Sequence, residues 1–425
     1  MNFLRFKGQI VEFYTELGPW SAESVQEIAP KLAKYSPRAE PGENPAAITS
    51  RGLKMLVGTP KEIKDHEDRV GLVPSSVREL VAAGHKVIIE KNAGAGIGVA
   101  DAAYVKAGAA IVDSPDEIFA KADLVIKVKE PLAVERKKLR EGQTLFTYLH
   151  LAPDPEQAAD LVKSGATCIA YETVTSPTGA LPLLAPMSEV AGRMAPQVGA
   201  AALENAAGGK GILLGGVAGV APAKVVILGA GVAGTNATHV ALGMGADVTL
   251  VDNSIDALRR AIATFGVRIK TAHSNKDTVA DLVTAADLVI STVLVPGAAA
   301  PKLISRELIG AMAKGSAFVD VAIDQGGASE TSKATTHSDP TYIIDGVVHY
   351  CVANMPGGLA RTSTFALNNA TLPFALALAN KGWKKACQDD IHLARGLNVH
   401  AGNITYKAVS EALGLAYLDP AKVLA

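Results

Sequence analysis

Residues Lys224 to Gly234, KVVILGAGVAG, constrain what this chain can fold into more than any other stretch. The apolar run Val225 to Leu228 suits a strand buried on both faces. A G-x-G-x-x-G follows at Gly229, Gly231 and Gly234, then Thr235 to Met244 with helical spacing, then a second strand, Asp247 to Val251, ending in Asp252. Gly229 permits a tight turn, Gly231 lets the backbone approach a pyrophosphate, and Gly234 lets the helix pack on its strand. The helix N-terminus then offers unpaired N–H groups and a positive dipole end to phosphates. Asp252 stands at the spacing of a ribose-diol acceptor. Alone the motif is weak evidence in a chain with 40 glycines, and its bland reading is a tight βα turn. Strand, helix and acid in this order favour a dinucleotide. The acid favours NAD over NADP, because a carboxylate repels a 2′-phosphate. Arg259 and Arg260 fall well into the next helix, poorly placed to reverse that choice.

The length of 425 residues allows two or three domains. A net charge of −1 gives no electrostatic case for nucleic acid or an anionic membrane. The three cysteines, Cys168, Cys351 and Cys387, lie far apart and form no CxxC pair, which points to a reducing, cytoplasmic setting. The opening MNFLRFKGQIVEFY has no continuous apolar core of a signal peptide. Glu12, Glu16, Glu23 and Glu27 count against a mitochondrial presequence. The most apolar region, Gly211 to Gly234, is interrupted by Pro222 and Lys224 and reads as loop plus buried strand, with no membrane span.

Residues 1–54 differ from the rest. Phe3, Phe6, Phe13, Tyr14 and Trp20 crowd the start, and Ser36 to Ser50 has linker composition. The plain reading is a loose extension ahead of a start at Met55; the sharper one is an arm that docks its aromatics on a neighbour. From Met55 onward short apolar strands alternate with helices: Met55 to Thr59, His85 to Glu90, residues 122–131, Leu145 to Leu149 and Thr167 to Tyr171. Ser75 or Ser76 is positioned to cap a helix reaching Ala83. The later half repeats the pattern at residues 286–297 and 317–324, and GADVTLVD (245–252) echoes AGHKVIIE (83–90). Ser188 to Ala207 suits a long bridging helix that Pro196 should kink, and residues from Ala360 are helical in pattern and return to the first domain. The expected fold is α/β: two doubly wound Rossmann-like domains with a cleft between them, linked by long helices. The expected division is an extension at 1–54, a substrate domain at 55–182 with 361–425, and an NAD-binding domain at 183–360.

Ligands of open α/β sheets bind beyond the carboxyl ends of the strands. In the first half those ends lead to Arg69, Lys129, His150 and Glu172; in the second, to Gly229–Gly234, Asp252, Val293 with Leu294, and Asp324. The first set is chemically coherent. Arg69 can grip a carboxylate, Lys129 can donate to a carbonyl or carboxylate, and His150 can move a proton near neutral pH. Asp324 can orient water or stabilise a positive intermediate. Each has a bland alternative: a surface arginine, an exposed charge cluster of Lys127, Lys129 and Glu130, a structural histidine, and Glu172 as a helix N-terminal acid. Their shared placement favours a small, anionic substrate that is redox-active at carbon.

The runs ADLVIKVKEP, LFTYLHLAP, IAYETV, GALPLLAPMSEVAGR, VILGAGVAG, VLVPGAAAPKLIS, VDVAIDQGG and YCVANMPG closely resemble the bacterial L-alanine dehydrogenase family, within the alanine dehydrogenase/transhydrogenase alpha-subunit superfamily. The resemblance covers about Met55 to the C-terminus. It implies NAD⁺-dependent deamination of L-alanine to pyruvate and ammonium, the reverse amination, and a homohexamer. It makes Arg69 and Lys129 the pyruvate-binding residues, His150 the catalytic acid/base and Asp324 a second catalytic residue. Ser188, Asp252, Ser274, Val293, Leu294, Val321, Ala322, Ile323, Asp324, Val352, Ala353, Asn354 and Met355 match nucleotide-binding positions. Two features depart from the family: Ala377 and Lys381 stand where members can carry a Glu and a His for magnesium, so no metal is expected, and Ala257 replaces a basic residue of the ribose region, with Lys333 at another position. The rival readings are the soluble NAD-binding component of a transhydrogenase, and a non-catalytic NAD-binding protein.

Overall fold

The computed structural model describes residues 3–6, 9–12, 53–293 and 300–425. The chain divides into two units, Met1–Arg51 and Gly52–Ala425. In the first, strand β1 (Phe3–Phe6) pairs antiparallel with β2 (Gln9–Glu12). The loose-extension and docking-arm readings otherwise concern residues outside the described ones.

The second unit holds two sheets. The first begins with β3 (Leu56–Thr59), β4 (Lys86–Glu90), β5 (Ala110–Val112), β6 (Leu124–Ile126), β7 (Thr144–Thr147) and β8 (Thr167–Ala170). The second contains β9 (Lys224–Leu228), β10 (Asp247–Asp252), β11 (Lys270–His273), β12 (Leu288–Ser291), β13 (Ala317–Asp320), β14 (Thr341–Ile344) and β15 (Val347–Tyr350). The chain then returns to the first sheet with β16 (Leu397–His400) and β17 (Asn403–Ile404), as expected of the residues after Ala360.

The first sheet runs β5-β4-β3-β6-β7-β8, all parallel, extended by antiparallel β16 and β17. The second runs β11-β10-β9-β12-β13-β15, all parallel, with antiparallel β14 at its edge. Counting only the parallel strands of each sheet in chain order, both read 3-2-1-4-5-6, the doubly wound order with a switch point beside the first strand. The faint internal similarity of the sequence is therefore one topology used twice.

Each sheet is covered on both faces, which explains its unbroken apolar runs. Leu124 and Ile126 pack with Phe146 and Leu378 on one side, while Val125 between them packs with Phe119 and Leu161 on the other. Val225 and Ile227 face Ala237 and Leu250; Val226 and Leu228 face Val283 and Phe318. Each such side chain contributes about 1.5–3 kcal/mol when removed from water.

Two helices join the halves. Ala185–Ala202 places Met187 in the core of the first sheet and Ala191 to Ala202 in that of the second. A Cβ on its Gly192 would lie 2.2 Å from the carbonyl oxygen of Ala233, so this helix touches the backbone of the Val232–Gly243 helix. Ala360–Asp389 is the other link, with Leu367, Ala375 and Leu378 in the first core.

One local expectation, the serine cap, is corrected, and two helices carry a proline or a break. Ala185–Ala202 runs as one helix through Pro196, which leaves the Gly192 carbonyl without its helical donor. The long C-terminal helix is broken at Gly382 (φ 73°, ψ 157°). Neither Ser75 nor Ser76 caps the helix Pro74–Ala82. It starts on Pro74, whose fixed φ suits a first turn, after Val73, and the buried Ser76 hydroxyl reaches Asn368 Oδ1 at 3.1 Å.

Candidate active site

Because β8, β7, β6 and β3 are successive neighbours, the loops leaving their carboxyl ends form one row. It carries Glu172, His150, Lys129 and Arg69 in that order. At about 4.8 Å per strand the row spans roughly 15 Å. The second sheet supplies a matching row: Ser274 after β11, Asp252 closing β10, the glycine loop after β9, Val293 after β12, Val321–Asp324 after β13 and Val352–Met355 after β15. Leu294 lies outside the described residues. The rows meet: Arg69 Nη2 donates to Asn354 Oδ1 at 2.9 Å, Asn354 Nδ2 donates to Glu67 Oε2 at 3.1 Å, and His66 Nε2 lies 2.9 Å from Ser338 Oγ.

The three motif glycines now separate. Gly229 has φ 101°, and a Cβ there would meet Thr292 Oγ1 at 2.8 Å. A Cβ on Gly234 would stand 1.7 Å from the Gly229 carbonyl oxygen. These two are needed by the turn itself. Gly231 is not: its φ of −75° suits any residue, and nothing lies within 4 Å of an added Cβ. A mere tight turn leaves Gly231 unexplained, whereas close approach of a pyrophosphate explains it. Asp252 braces this loop, accepting from Ala230 N at 2.6 Å and Ser254 N at 2.7 Å, and each oxygen retains a lone pair for a ribose hydroxyl. Ser274 N donates to the Asp252 carbonyl at 2.9 Å. Ser188 is half-buried in the first turn of its helix; Val293, Val321 and Ala353 are half-buried; Ala322, Ile323, Val352 and Met355 are buried. Ala257 is buried in the first turn of Ile255–Phe265, and Lys333 is exposed. Backbone donors, open space at Gly231 and one carboxylate at the ribose position fit a dinucleotide.

On the opposite row Arg69 is buried, against the surface reading. Its Nε donates to Glu67 Oε1 at 2.6 Å and its Nη2 to Glu67 Oε2 at 2.5 Å, and Nη1 meets Met187 Sδ at 3.0 Å. Burial works to raise the Glu67 carboxyl, but hydrogen bonds from Arg69 outweigh it and hold Glu67 below the usual carboxylate range. Asn354 takes a left-handed backbone (φ 57°), which asparagine tolerates, and its N–H donates to Asp324 Oδ1 at 3.1 Å. A chain of contacts thus runs from Arg69 through Asn354 to Asp324, whose carboxylate is exposed to the cleft.

Lys129 is mostly covered, and its Nζ lies 3.7 Å from Glu130 Oε2; Lys64 pairs with the other oxygen of Glu130. Burial pushes the Glu130 carboxyl up, but Lys129 and Lys64 together hold it down. The exposed charge cluster expected around Lys127 is overturned: the Lys127 ammonium is fully buried between Glu62 Oε2 and Glu135 Oε1, each at 2.8 Å. Burial alone would lower it, yet those carboxylates hold it well above the ordinary amine range; Glu62 itself is raised, chiefly by burial. Glu62 Oε1 also accepts from Val128 N at 2.7 Å and Lys129 N at 3.4 Å, and Thr147 Oγ1 donates to the Lys129 carbonyl at 2.9 Å. The strand end that launches Lys129 is therefore pinned from behind.

His150 is a half-exposed side chain on a left-handed residue (φ 49°), a conformation costing roughly 1–2 kcal/mol outside glycine. Glu172 offsets that cost by accepting from Leu149 N at 3.1 Å and His150 N at 2.6 Å, and its carboxylate stands 3.9 Å from His150 Nδ1. Tyr148 lies parallel to the imidazole, with centroids 5.7 Å apart. Among the described residues, no hydrogen bond or ion pair joins His150 or Lys129 to Asp324. Glu62, Glu67, Lys127 and Glu135 went unrecognised in the sequence; a lysine inside the apolar run ADLVIKV was the one available signal. Lys381 Nζ pairs with Asp389 at 2.8 Å, so the position matching a metal ligand holds an engaged cation.

Known proteins resemble this chain in sequence and fold. The family model for the alanine dehydrogenase/PNT N-terminal domain matches residues 58–191, and that for the C-terminal domain matches 195–407. An alanine dehydrogenase of Halomonas elongata is 58% identical over 370 residues, covering 87% of this chain and 100% of the relative. A solved L-alanine dehydrogenase superposes with a TM-score of 0.82 at 50% identity, covering 85% of this chain and 99% of its own. The structure of a transhydrogenase from Sinorhizobium meliloti gives 0.72 at 27% identity, covering 83% and 99%.

Proposed function

The chain belongs to the alanine dehydrogenase/PNT family, and on that footing we propose that it is an NAD-dependent L-alanine dehydrogenase that interconverts L-alanine with pyruvate and ammonium. The observation that carries the reading is the row Arg69, Lys129 and His150 on adjacent strand ends, with Arg69 linked through Asn354 to Asp324 beside the nucleotide row. The higher identity to alanine dehydrogenases than to the transhydrogenase favours it over a transhydrogenase component. The catalytic set argues against a non-catalytic NAD-binding role.

We assign nucleotide binding to 183–360 and substrate binding to 55–182 with 361–425. Ser188, Gly229, Gly231, Gly234, Asp252, Ser274, Val293 and Leu294, with residues 321–324 and 352–355, would hold NAD, which supplies the hydride acceptor. Arg69 and Lys129 hold the substrate carboxylate and carbonyl in near-attack geometry. After oxidation at Cα the substrate is an iminium, and water adds to its carbon as His150 takes the proton. Collapse of the carbinolamine releases ammonium, with Asp324 stabilising positive charge and sharing the proton traffic. A cytoplasmic homohexamer is the setting we infer; among the described residues no helix is long and apolar enough to cross a membrane.

The test is NADH oxidation dependent on both pyruvate and ammonium. Turnover that needs both supports the proposal. Absence of that turnover, with hydride exchange between nucleotides in the presence of a partner subunit, supports the transhydrogenase.

A further inference from the structure

Glu67 has no role in the chemistry above, yet its side chain is fully inaccessible and bonded to Arg69 on two nitrogens. We propose that Glu67 is a positioning residue that aims Arg69 and restricts the cleft to substrates with a single carboxylate; this rests on the alanine dehydrogenase reading. Glu67 occupies the Nε–Nη2 edge of the guanidinium, and Asn354 occupies the remaining side of Nη2. What is left is Nη1, whose partner is the thioether of Met187, a weak acceptor that a carboxylate displaces. The arginine therefore meets the substrate through one defined nitrogen.

The charges agree with that geometry. Arg69 pairs with Glu67, and Lys129 and Lys64 share Glu130. Lys127 is consumed by Glu62 and Glu135. These four cations thus face four carboxylates, which leaves no surplus positive charge for a second substrate carboxylate. Asp324, on the far side of Asn354, adds another negative charge. A second substrate carboxylate would be desolvated without a partner, which is heavily unfavourable, so selectivity comes from what the site lacks.

Two variants test this. Glu67→Gln keeps the shape and removes the charge; Glu67→Asp keeps the ion pair, and so the fold, but draws the guanidinium back by one methylene. Pyruvate KM, inhibition by the dianion oxalate, NADH affinity and melting temperature are measured on each. In Glu67→Gln the oxalate Ki should fall relative to the pyruvate KM by about tenfold or more, and in Glu67→Asp the pyruvate KM should rise by about tenfold, the size of one charged hydrogen bond. Melting temperature reads the fold, and the ratio of oxalate Ki to pyruvate KM reads the aim of Arg69; NADH affinity reports on Asn354, whose Nδ2 donates to Glu67 at 3.1 Å. Folded variants with wild-type pyruvate KM and wild-type oxalate inhibition overturn the proposal, as does a Glu67→Gln protein whose oxalate Ki and pyruvate KM change by the same factor. A wild-type protein inactive on pyruvate and ammonium overturns the underlying reading instead.

Discussion

Replacing Gly231 and Gly234 by alanine, one at a time, should produce opposite failures. At Gly231 the backbone (φ −75°, ψ −163°) is open to alanine and the added methyl meets nothing within 4 Å. Folding should be unharmed, and the loss of unfolded-state freedom should stabilise the protein by about 0.4–1 kcal/mol. The methyl does, however, occupy the space through which a pyrophosphate reaches the loop. Losing one charged hydrogen bond there costs about 1.5–3 kcal/mol, or roughly 10- to 150-fold in NADH affinity. At Gly234 the methyl would lie 1.7 Å from the Gly229 carbonyl oxygen and 2.8 Å from Thr292 Oγ1, so the loop or its helix must move. Overpacking of this kind costs about 1–3 kcal/mol, and the melting temperature should fall even without nucleotide. Thermal denaturation of the nucleotide-free proteins and NADH fluorescence titration read the two effects separately. A Gly231→Ala protein that binds NADH as wild type does would refute the claim that this loop seats the pyrophosphate.

His150→Ala should cut turnover by about 10²- to 10⁴-fold and leave NADH binding intact, since only a half-exposed side chain is lost from a loop that Glu172 holds by its backbone; steady-state rates and titration check this, and undiminished turnover would defeat the mechanism. Asp252→Ala should weaken NAD⁺ and narrow the gap to NADP⁺, and because the carboxylate also braces Ala230 and Ser254 the NAD⁺ loss should exceed about tenfold; comparable use of both nucleotides by wild type would contradict the ribose reading. Glu67, held below its ordinary value when folded, contributes stability that is complete near neutrality and is lost as pH falls through the unfolded value of about 4.3 and below. Glu62 is shifted the opposite way, so the comparison must be wild type against Glu67→Gln: urea stability should fall more steeply between pH 6 and about 3 in wild type. Equal slopes would remove Glu67 from the account. A chain starting at Met55 should keep NADH binding and activity; loss of assembly or solubility would favour the docking-arm reading.

Much of the fold was legible because its signals are local. A both-sides-buried parallel strand must be apolar throughout, so Val225 to Leu228 and Leu124 to Ile126 announced themselves, and Gly229 and Asp252 marked where β9 and β10 end. Lys129, His150 and Glu172 were legible for the same reason: each stands just past the point where an apolar strand gives way to polar residues. The hidden features depend on partners distant in sequence. Lys127 looked exposed because Glu62, which buries its charge, lies 65 residues away. Arg69 looked like a surface residue because Asn354 is 285 positions distant, and Glu67 only becomes meaningful once the guanidinium is seen enclosed. Ser75 and Ser76 failed as caps for a local reason: Pro74 had already fixed the start of the helix.

The central claim is that the two strand-end rows together oxidise alanine with NAD⁺. Its most direct test is the appearance of NADH when the purified protein is given L-alanine and NAD⁺, followed spectrophotometrically beside reactions with glutamate and with NADP⁺. The account predicts NADH formation with alanine and NAD⁺, little with glutamate, whose second carboxylate finds no free cation, and little with NADP⁺. A folded, NADH-binding protein that forms no NADH from alanine would contradict it.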